Sequence, residues 1–393
     1  MKHVVIAGGG FAGVRLARKL SSNNQISVTL INSDPDFRYC PALYRAATGH
    51  KIGTARLPLE WMLLATNTTL IIDTVKSLNT ETKTLTTEKK RDIKYDYIVF
   101  ALGSVTTYFD IEGLHKHAYG IKSIDEVTKL RSHIHNQIAE HHDKTSNYVI
   151  VGGGPTGVEV AGALGTYVKS IMRSHHSSQT AVKIWLVDSA PRILPNMSNK
   201  SSRVARRKLR QIGVKIQTDT LVKAESIHCL QTSNGKIPTD TVIWTAGTTT
   251  NPFFNKNKQV FTIAKNSKVS VNEHLEVSNS IYVIGDNADT KYSGLAQTAI
   301  KHADFVAKDI KAKLNNSSRP HHYESKPIQI VPVGKKRAIL QYGSFTLSGR
   351  LIAPIRSLAD YIGYSDVLGW LRALTIWTNA DQNEFDCPIC KKS

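Results

Sequence analysis

Apolar residues near the start of the chain follow a strand pattern, then a helical pattern, then a strand pattern again. Val4–Ala7 is a short apolar run, Gly8–Gly10 interrupts it, and apolar positions recur at helical spacing from Phe11 to Leu20. A second apolar run, Ile26–Ile31, follows. A buried strand, a tight turn, a helix and a return strand within about 30 residues predict a βαβ unit with parallel strands.

The same order of elements recurs near the middle of the chain. Tyr148–Val151 is an apolar run, Gly152–Gly157 is rich in glycine, a helical pattern continues through Val168, and Val182–Val187 has a second strand pattern. The repetition predicts an α/β fold that contains two copies of one Rossmann-like nucleotide-binding unit.

Polar segments separate the predicted strands. His133–Ser146 is rich in histidine and suggests a solvated helix and linker, and Lys169–Gln179 suggests an exposed insertion. Further strands are predicted within Lys94–Phe100 and Ile281–Ile284. Asn315–His322 is loop-like, and we expect it to open a C-terminal segment.

Composition narrows the class of protein. The chain has 393 residues, 41% of them hydrophobic and 21% charged, which suits two or three globular domains and not a disordered chain. Four cysteines are too few for a disulfide scaffold, so we expect a reducing compartment. The strand pattern begins at Val4, which predicts no signal peptide, and the absence of any uncharged apolar run of 18 residues predicts no transmembrane helix.

The charge of the chain is strongly basic. Lys and Arg number 51 against 31 Asp and Glu, which gives a formal net charge of +20. Such a charge suits nucleic acid, an anionic membrane surface or anionic ligands, and it does not choose among them. Basic residues cluster between Lys200 and Arg210 at a spacing that surrounds a helix, which favours a solvated helix. Neither interleaved aromatics nor finger spacing accompanies this cluster, so no nucleic-acid partner is predicted.

The first glycine turn has the pattern Gly8-x-Gly10-x-x-Gly13. Glycines at this spacing allow a sharp turn, close approach of the backbone to a pyrophosphate and close packing of helix on strand. The phosphates would meet the free N–H groups at the start of the helix. The following strand ends in Asn32, where Asp or Glu usually takes the ribose hydroxyls, so the ribose anchor is expected to be weaker.

The second turn, Gly152-x-Gly154-x-x-Gly157, is followed by a strand that ends in Asp188. A carboxylate there accepts the ribose hydroxyls and repels a 2′-phosphate, which favours NADH over NADPH. Arg192 lies close enough in sequence to leave NADPH open. Two dinucleotide sites in one chain suggest hydride transfer between a nicotinamide and a flavin.

The order of these motifs resembles the flavoproteins with two dinucleotide-binding domains. Gly285-Asp286 resembles their third FAD motif, and Ala101–Gly103 and Thr245–Gly247 resemble their two crossings between domains. The resemblance implies FAD in the first unit and NADH in the second. It divides the chain into four parts. Residues 1–115 would form the first part of an FAD-binding domain, and residues 116–244 an NADH-binding domain. Residues 245–322 would form the second part of the FAD-binding domain, and residues 323–393 a C-terminal membrane-association or dimer segment.

Within that group the sequence most resembles the type II NADH dehydrogenases. The residues that carry the likeness are Pro41–Gly49, the run from Gly154 to Leu164 and Leu295–Ala299. The resemblance implies that Glu159 lies near nicotinamide and flavin and that Gln297 lies on the quinone side of the flavin, both as catalytic residues. It implies cofactor contacts at Gly8, Gly10, Phe11, Ala12, Gly13, Asn32, Ala101, Gly103, Gly152, Gly154, Pro155, Thr156, Gly157, Asp188, Gly247, Gly285, Asp286 and Ala299.

One departure from the family pattern concerns the electron acceptor. Lys301 and His302 stand where the family usually carries a pair of glutamines. The resemblance implies a non-pumping respiratory-chain enzyme that passes hydride from NADH to FAD and then two electrons to a quinone. It also implies a cytoplasmic location, peripheral on the inner face of the cell membrane.

The C-terminal segment has two apolar helical stripes. We expect them to form a short helical segment that lies in an anionic membrane surface or in a homodimer interface, while packing on the domain is the alternative. The stripes comprise Leu351, Ile355, Leu358 and Ile362, then Val367, Trp370, Leu371, Leu374 and Trp377.

Other functions stay open at this point. Cys40 lies near the position of the redox cysteine in single-cysteine NADH oxidases, peroxidases and disulfide reductases, although Pro41 replaces the usual glycine. A third reading is a flavoprotein similar to apoptosis-inducing factor, in which NADH changes assembly. Cys387 and Cys390 suggest an exposed tail, and the histidine pairs show no metal spacing, so no metal site is predicted.

Overall fold

The computed structural model of the protein describes residues 1–140, 146–175 and 182–380. The first range begins with the predicted βαβ unit and continues through two small antiparallel sheets. Its strands are β1 (Lys2–Ala7), β2 (Ile26–Asn32), β3 (Asp36–Arg38), β4 (Arg56–Pro58), β5 (Thr68–Ile72), β6 (Val75–Asn79), β7 (Thr84–Thr87), β8 (Asp92–Lys94), β9 (Tyr97–Phe100) and β10 (Val105–Thr106), and its helices are α1 (Phe11–Leu20), α2 (Leu43–Ala47), α3 (Leu59–Leu63), α4 (Leu114–His117) and α5 (Ile124–Glu140).

The second βαβ unit follows, and the chain then returns to the first sheet. These elements are β11 (Ser146–Val151), α6 (Pro155–Ser174), β12 (Val182–Val187), α7 (Asn199–Gln211), β13 (Val214–Gln217), β14 (Val222–Ser226), β15 (Cys229–Thr232), β16 (Gly235–Pro238), β17 (Thr241–Trp244), β18 (Thr248–Thr249), α8 (Pro252–Lys256), β19 (Glu276–Ser278), β20 (Ile281–Val283) and α9 (Ala296–Leu314).

The two units have the same topology. The first sheet has the order β19-β20-β9-β1-β2-β5, and the second has the order β13-β12-β11-β17. In each, the opening strand of the unit lies between two parallel neighbours, β2 and β9 around β1 and β12 and β17 around β11. The chain therefore leaves the central strand at a point where the strand order reverses, which is where open α/β sheets bind ligands.

The C-terminal segment contains a β-sheet as well as the predicted helices. It begins with a three-stranded antiparallel sheet, which the sequence analysis did not predict, and continues into two helices. Strand pairing is regular, since Leu340 pairs with both Ile330 and Leu347. The elements are β21 (Ile328–Pro332), β22 (Ala338–Tyr342), β23 (Phe345–Gly349), α10 (Ile352–Leu368) and α11 (Trp370–Asn379).

Two segments predicted to be solvated are partly buried. The helix predicted within His133–Ser146 is present, but its exposure and that of the start of Lys169–Gln179 were predicted wrongly. Helix α6 runs on through Ser174, and Ile171 and Met172 pack in the core, because the apolar period continues past Val168. Helix α5 contributes Ile134 and Ile138 to the same core. Residues 141–145 and 176–181 lie outside the described ranges.

Helix α10 has one face in the core and one face exposed. Its inner face includes Asp360, Tyr364 and Val367, all at most 1% exposed, so Val367 does not belong to the exposed stripe that the sequence predicted. Trp377 on α11 is also half-buried, and its indole N–H donates to the Ser357 carbonyl over 2.8 Å. Seven residues of the predicted stripes are exposed: Leu351, Ile355, Leu358, Ile362, Trp370, Leu371 and Leu374.

Candidate functional site

The first glycine turn is shaped by close contacts on one side and open space on the other. Gly8 has φ +111°, and a Cβ there would lie 2.3 Å from the Ala101 carbonyl oxygen. A Cβ on Gly13 would lie 1.8 Å from the Gly8 carbonyl oxygen, because helix and strand pack closely. A Cβ on Gly10 would meet nothing within 4 Å. No side chain caps α1 at Gly10, so its first N–H groups are available to a pyrophosphate.

The second turn repeats this geometry. Gly152 has φ +110°, a Cβ on Gly157 would lie 1.8 Å from the Gly152 carbonyl oxygen, and a Cβ on Gly154 would meet nothing within 4 Å. Helix α6 opens with Pro155 after an extended Gly154, again without a side-chain cap. Pro155 and Thr156 are exposed beside the open side of the turn. Both turns therefore fit a dinucleotide.

The residues that end the following strands hold these turns. The Asn32 side-chain oxygen accepts the Gly9 N–H over 2.8 Å, and the Asn32 amide donates to the Asp34 carbonyl over 2.7 Å. Asp188 accepts the N–H of Gly153, and its second oxygen accepts the Ala190 N–H over 2.6 Å. Asn32 and Asp188 thus have a second task that motif reasoning alone did not predict, which is to fix the glycine turn.

A third part of the site lies at the carboxyl ends of β9 and β20. Gly285 has φ +71° and opens a 3-10 turn that presents Asp286. The Ser104 hydroxyl donates to Asp286 over 2.9 Å, and the Lys122 ammonium donates to Ser104 over 2.8 Å. Burial lowers the pKa of Lys122. Gly103 has φ +68° and open space beside it, so the crossing after β9 also leaves room for a ligand.

Sequence reasoning found Asp286 and Gly103 here but missed Ser104 and Lys122. A serine directly after Ala-Leu-Gly was the available signal for the first of them. Ala12 and Ala299 also gather at this turn, since a Cβ on Gly285 would lie 3.9 and 3.6 Å from their side-chain methyl carbons. These small side chains leave the space in front of the turn open.

Of the two departures from the family pattern, one is buried and the other lies on the exposed side of α9. His302 is 1% exposed, and its Nδ1 accepts the Gly285 N–H over 3.1 Å. Burial lowers the pKa of His302 to about 3, so the ring is neutral and Nδ1 can act as an acceptor. Lys301 is exposed and donates to the Ser325 hydroxyl. His302 therefore supports the Asp286 turn from behind.

Gln297, predicted as catalytic, lies in the first turn of α9 and is exposed. Its amide donates to the Ile328 carbonyl over 3.3 Å, and its oxygen accepts the Ile328 N–H over 3.2 Å. This pair of hydrogen bonds fastens α9 to strand β21. The side chain thus joins the candidate flavin side of the molecule to the C-terminal sheet.

Glu159 lies on α6, which packs against α2, and charged groups of α10 act on its carboxyl. Burial raises the pKa of Glu159 to about 7, while Arg356 and Arg45 oppose the rise and Asp360 adds to it. Burial also raises the pKa of Tyr44, and the charge of Glu159 adds to that rise. Glu159 therefore carries a proton for part of the time near neutral pH.

The charges that act on Glu159 belong to a buried ion cluster that joins α2 to α10. Arg45 donates to one oxygen of Asp360 over 2.8 Å, and Arg356 donates to the other. Asp360 is 1% exposed, and Tyr39 donates its hydroxyl to the Asp360 carbonyl over 3.2 Å. Sequence analysis missed this cluster. Its only local signal was the pair Arg356 and Asp360, four residues apart on α10.

The remaining predicted contacts lie around these groups. Phe11 packs its ring 5.0 Å from that of Phe37. Gly247 has φ +79°, and a Cβ there would lie 2.3 Å from the Phe109 ring, so the second crossing is tightly packed. Among the residues that the structure describes, no three His, Cys, Asp or Glu side chains gather as a metal site.

The described cysteines are separate. Cys40 is exposed, with Sγ 3.7 Å from the Arg38 carbonyl oxygen, and Cys229 lies on β15 in another sheet. Both are free thiols. Cys387 and Cys390 lie outside the described ranges, so the prediction of an exposed tail is untested.

Fold and site define a class of oxidoreductase. Residues 2–303 match the pyridine nucleotide-disulphide oxidoreductase family, and the chain belongs to that family.

Comparisons with individual proteins sharpen this result. The chain is 27% identical to a type II NADH:quinone oxidoreductase of Mycobacterium tuberculosis, over 95% of this chain and 87% of that protein. It is also 27% identical to the type II NADH:quinone oxidoreductase of Staphylococcus epidermidis, over 81% and 84%.

Solved structures share the fold. NDH2 from Plasmodium falciparum in complex with NADH aligns with a TM-score of 0.84 at 18% identity, covering 96% of this chain and 97% of that one. The sulfide:quinone oxidoreductase of Aquifex aeolicus aligns with a TM-score of 0.80 at 19% identity, covering 94% and 92%.

Proposed function

We propose that this protein is an FAD-dependent NADH:quinone oxidoreductase. When bound, FAD accepts a hydride from NADH and passes two electrons to a quinone. The resemblance of the motifs, the family and the names of the similar proteins support this function. The observation that carries it is the position of Glu159 on the helix of the second glycine turn, which packs on α2, while Arg356 and Asp360 of α10 act on the Glu159 charge.

The two turns have separate tasks in this proposal. The first turn binds the FAD pyrophosphate at the N-terminus of α1, and the second binds the NADH pyrophosphate at the N-terminus of α6. The Asp188 carboxylate accepts hydrogen bonds from the NADH ribose hydroxyls. The Asp286 carboxylate accepts hydrogen bonds from FAD hydroxyls. The other contacts proposed are Gly8, Gly10, Phe11, Ala12, Gly13, Asn32, Ala101, Gly103, Gly152, Gly154, Pro155, Thr156, Gly157, Gly247, Gly285 and Ala299.

Glu159 holds a proton near the reacting groups. A quinone that takes up two electrons as quinol also takes up two protons, of which the hydride accounts for one. A carboxyl with a pKa of about 7 can release the second proton and be reprotonated from water at neutral pH. Gln297 orients the acceptor side by holding α9 against Ile328.

Membrane attachment is the second part of the proposal. No helix within residues 1–140, 146–175 and 182–380 is long and apolar enough to cross a bilayer. Helix α10 packs on both α3 and α11, and Leu351 and Ile355 at its start are 86% and 42% exposed. Trp370 and Leu371 of α11 are 66% and 62% exposed, and Trp61 of α3 and Leu64 directly after it are 46% and 64% exposed. Arg372 joins the two helices by donating to the Trp61 carbonyl over 3.0 Å. We propose that this apolar surface lies in the inner face of an anionic cell membrane, with a homodimer interface as the alternative.

The function is tested by anaerobic mixing. Purified protein should show flavin absorbance, lose it within the mixing time when NADH is added, and regain it when a quinone follows. Protein that is folded but binds no flavin contradicts the proposal. The Cys40→Ser variant should keep quinone reduction near wild type, and loss of that activity would favour the thiol enzymes. Slow reoxidation by every quinone would favour the sensing function.

Membrane attachment is tested with substitutions in place of a truncation. Removal of residues after 349 would also remove Asp360 and leave Arg45 buried without its counter-charge, which is strongly destabilising. Leu351→Gln with Ile355→Gln changes only the exposed face of α10, where these residues are 86% and 42% exposed. We expect this variant to keep FAD and lose vesicle binding. A dimer-to-monomer change without any effect on vesicles would support the dimer interface.

A further inference from the structure

Two stretches of the chain contain no acidic residue. Between residues 189 and 218 there are eight Lys or Arg and no Asp or Glu, and between residues 325 and 359 there are six Lys or Arg and no Asp or Glu. These stretches include α7 and the C-terminal sheet, which pack against each other. The fold therefore brings together two regions that carry much of the basic excess of the chain.

A groove of about 380 Å³ lies between them. Five cationic side chains line it: Lys200, Arg203, Arg207 and Lys208 from α7 and Arg337 from the sheet. No Asp or Glu contributes to its lining, and no ion pair within the described ranges involves any of the five. The sequence analysis expected these α7 cations to surround the helix, but the structure turns several of them toward one groove.

Hydrogen bonds fix the two walls of this groove relative to each other. The Ser201 hydroxyl donates to the Gln341 side-chain oxygen over 2.8 Å, and the Ser198 N–H donates to the same atom over 2.8 Å. The Ser198 hydroxyl lies 3.0 Å from that of Thr346, and Lys200 donates to the Thr346 carbonyl over 3.3 Å. The groove is thus held open by polar side chains that join α7 to β22 and β23, and binding needs little rearrangement.

An apolar surface begins close to the groove in the chain. Val204, Val333 and Ile339 contribute apolar side chains to the lining of the groove, and Gly349 also lines it. Two residues farther on, Leu351 begins the exposed apolar face of α10. Cations beside an apolar stripe suit a ligand that has an anionic head and an apolar tail.

We propose that this groove binds the phosphate headgroup of an anionic phospholipid, whose acyl chains lie along the exposed face of α10. The proposal rests on the membrane attachment proposed above and assigns lipid selectivity to residues outside the dinucleotide sites. Charge complementarity favours a phosphodiester head, because each Arg guanidinium can donate two parallel hydrogen bonds to phosphate oxygens.

The test compares two kinds of vesicle. Full-length protein is sedimented with vesicles of phosphatidylcholine alone and of phosphatidylcholine mixed with phosphatidylglycerol. We expect wild type to prefer the anionic vesicles. Each cation near such a surface contributes about fivefold, since ~1 kcal/mol per charge corresponds to that factor. Arg203→Gln with Arg207→Gln should therefore lower binding to anionic vesicles about 25-fold while leaving binding to phosphatidylcholine unchanged.

Two control variants separate the groove from the net charge. Lys223→Gln with Lys236→Gln removes the same charge from exposed positions on β14 and β16. We expect little change in its lipid preference, and an equal loss overturns the proposal. Arg203→Lys with Arg207→Lys keeps the charge and should keep most of the preference.

Other anions are outcomes of the same experiment. If inorganic pyrophosphate raises the thermal midpoint of wild type but not of the Arg203→Gln/Arg207→Gln variant, while vesicle binding is equal for both, the ligand is a soluble anion and the lipid proposal is wrong. Groove-dependent retention of an oligonucleotide at physiological salt, with no lipid preference, also overturns it.

The readouts distinguish this proposal from membrane attachment. Wild type that binds neither kind of vesicle contradicts attachment itself. If Leu351→Gln with Ile355→Gln abolishes binding while the Arg203→Gln/Arg207→Gln variant keeps the wild-type preference for anionic vesicles, attachment stands and the groove proposal fails.

Discussion

The two glycine turns share one backbone and differ in the side chains around it. Gly8 and Gly152 have φ of +111° and +110°, and each turn is held by a side chain from the end of the next strand. That side chain is a neutral amide in the first turn and a carboxylate in the second. The comparison teaches that the strand-end residue has a structural role common to both turns and a selective role that depends on its charge.

The helices after the two turns diverge two residues beyond the third glycine. Arg15 of α1 pairs with Asp304 of α9 over 2.8 and 3.1 Å, so it fastens the first unit to its own domain. Glu159 occupies the equivalent position of α6 and faces the Arg356 and Asp360 cluster. The first helix is thus committed to packing, while the second presents a titratable group.

The largest effect on nucleotide binding and stability is expected from substitutions in the glycine turns. A Cβ would clash with the backbone at the third glycine of each turn, but it would meet open space at the second glycine of the motif. Gly157→Ala would place a Cβ 1.8 Å from a carbonyl oxygen and should abolish NADH binding. It should also lower the free energy of unfolding by about 1–3 kcal/mol. Gly154→Ala should keep the thermal midpoint and weaken NADH alone. Calorimetry with NADH titration measures both.

The matched changes in the first turn sharpen the comparison. Gly13→Ala should release FAD and destabilise the protein, and Gly10→Ala should weaken FAD without unfolding. If Gly10→Ala and Gly154→Ala leave both nucleotides bound as in wild type, neither turn holds a pyrophosphate.

A second, smaller effect concerns nucleotide choice. Asp188→Asn keeps an acceptor for the Gly153 N–H but removes the charge that disfavours the 2′-phosphate of NADPH. The preference for NADH should fall about 10- to 100-fold, in line with a coupling of ~1.4–2.8 kcal/mol. Asp188→Ala also removes the hydrogen bond to the turn, so it should weaken both nucleotides. Steady-state kinetics with NADH and NADPH test this, and an unchanged ratio in Asp188→Asn contradicts the ribose assignment.

A third effect concerns FAD alone, because His302 supports the Asp286 turn on the FAD side of the site. His302→Leu leaves the buried Gly285 N–H without its acceptor, which costs about 1–3 kcal/mol. Release of FAD on dilution should become faster, while NADH affinity stays the same. His302→Gln offers a side-chain acceptor and should restore part of the retention. If leucine and glutamine variants release FAD at the same rate, the hydrogen bond does not position the turn.

The smallest effect is a pH dependence at Glu159. Its pKa is raised to about 7 by burial, so the folded protein holds a proton that the unfolded chain has lost. Below about 4.5 the carboxyl is protonated in both states and costs no stability, and as the pH rises from about 4.5 to about 7 stability is progressively lost. Glu159→Gln should therefore match wild type in thermal midpoint near about pH 4 and exceed it at about pH 8. A constant difference between the two proteins across this range would contradict the assignment.

Sequence patterns predicted what depends on neighbours in the chain. Both βαβ units and the Asp286 turn follow from local periodicity and glycine spacing, and their elements are found where expected. Pairings between distant residues could not be read in this way. Arg45 and Asp360 are 315 residues apart, and the only local sign of their cluster, Arg356 four residues before Asp360, does not point to Arg45. The C-terminal sheet was missed because each of its three strands is only five residues long, and the apolar side chains Phe345 and Leu347 of the alternating last strand are exposed and not buried in a core.

The pairing of Arg45 with Asp360 has a consequence for synthesis on the ribosome. The arginine is translated early, and its counter-charge follows 315 residues later, which corresponds to roughly 15–60 s at about 5–20 residues per second. Until then α2 cannot bury its guanidinium in a neutralised pocket. The nascent N-terminal part therefore stays incomplete until α10 leaves the ribosome and supplies Asp360.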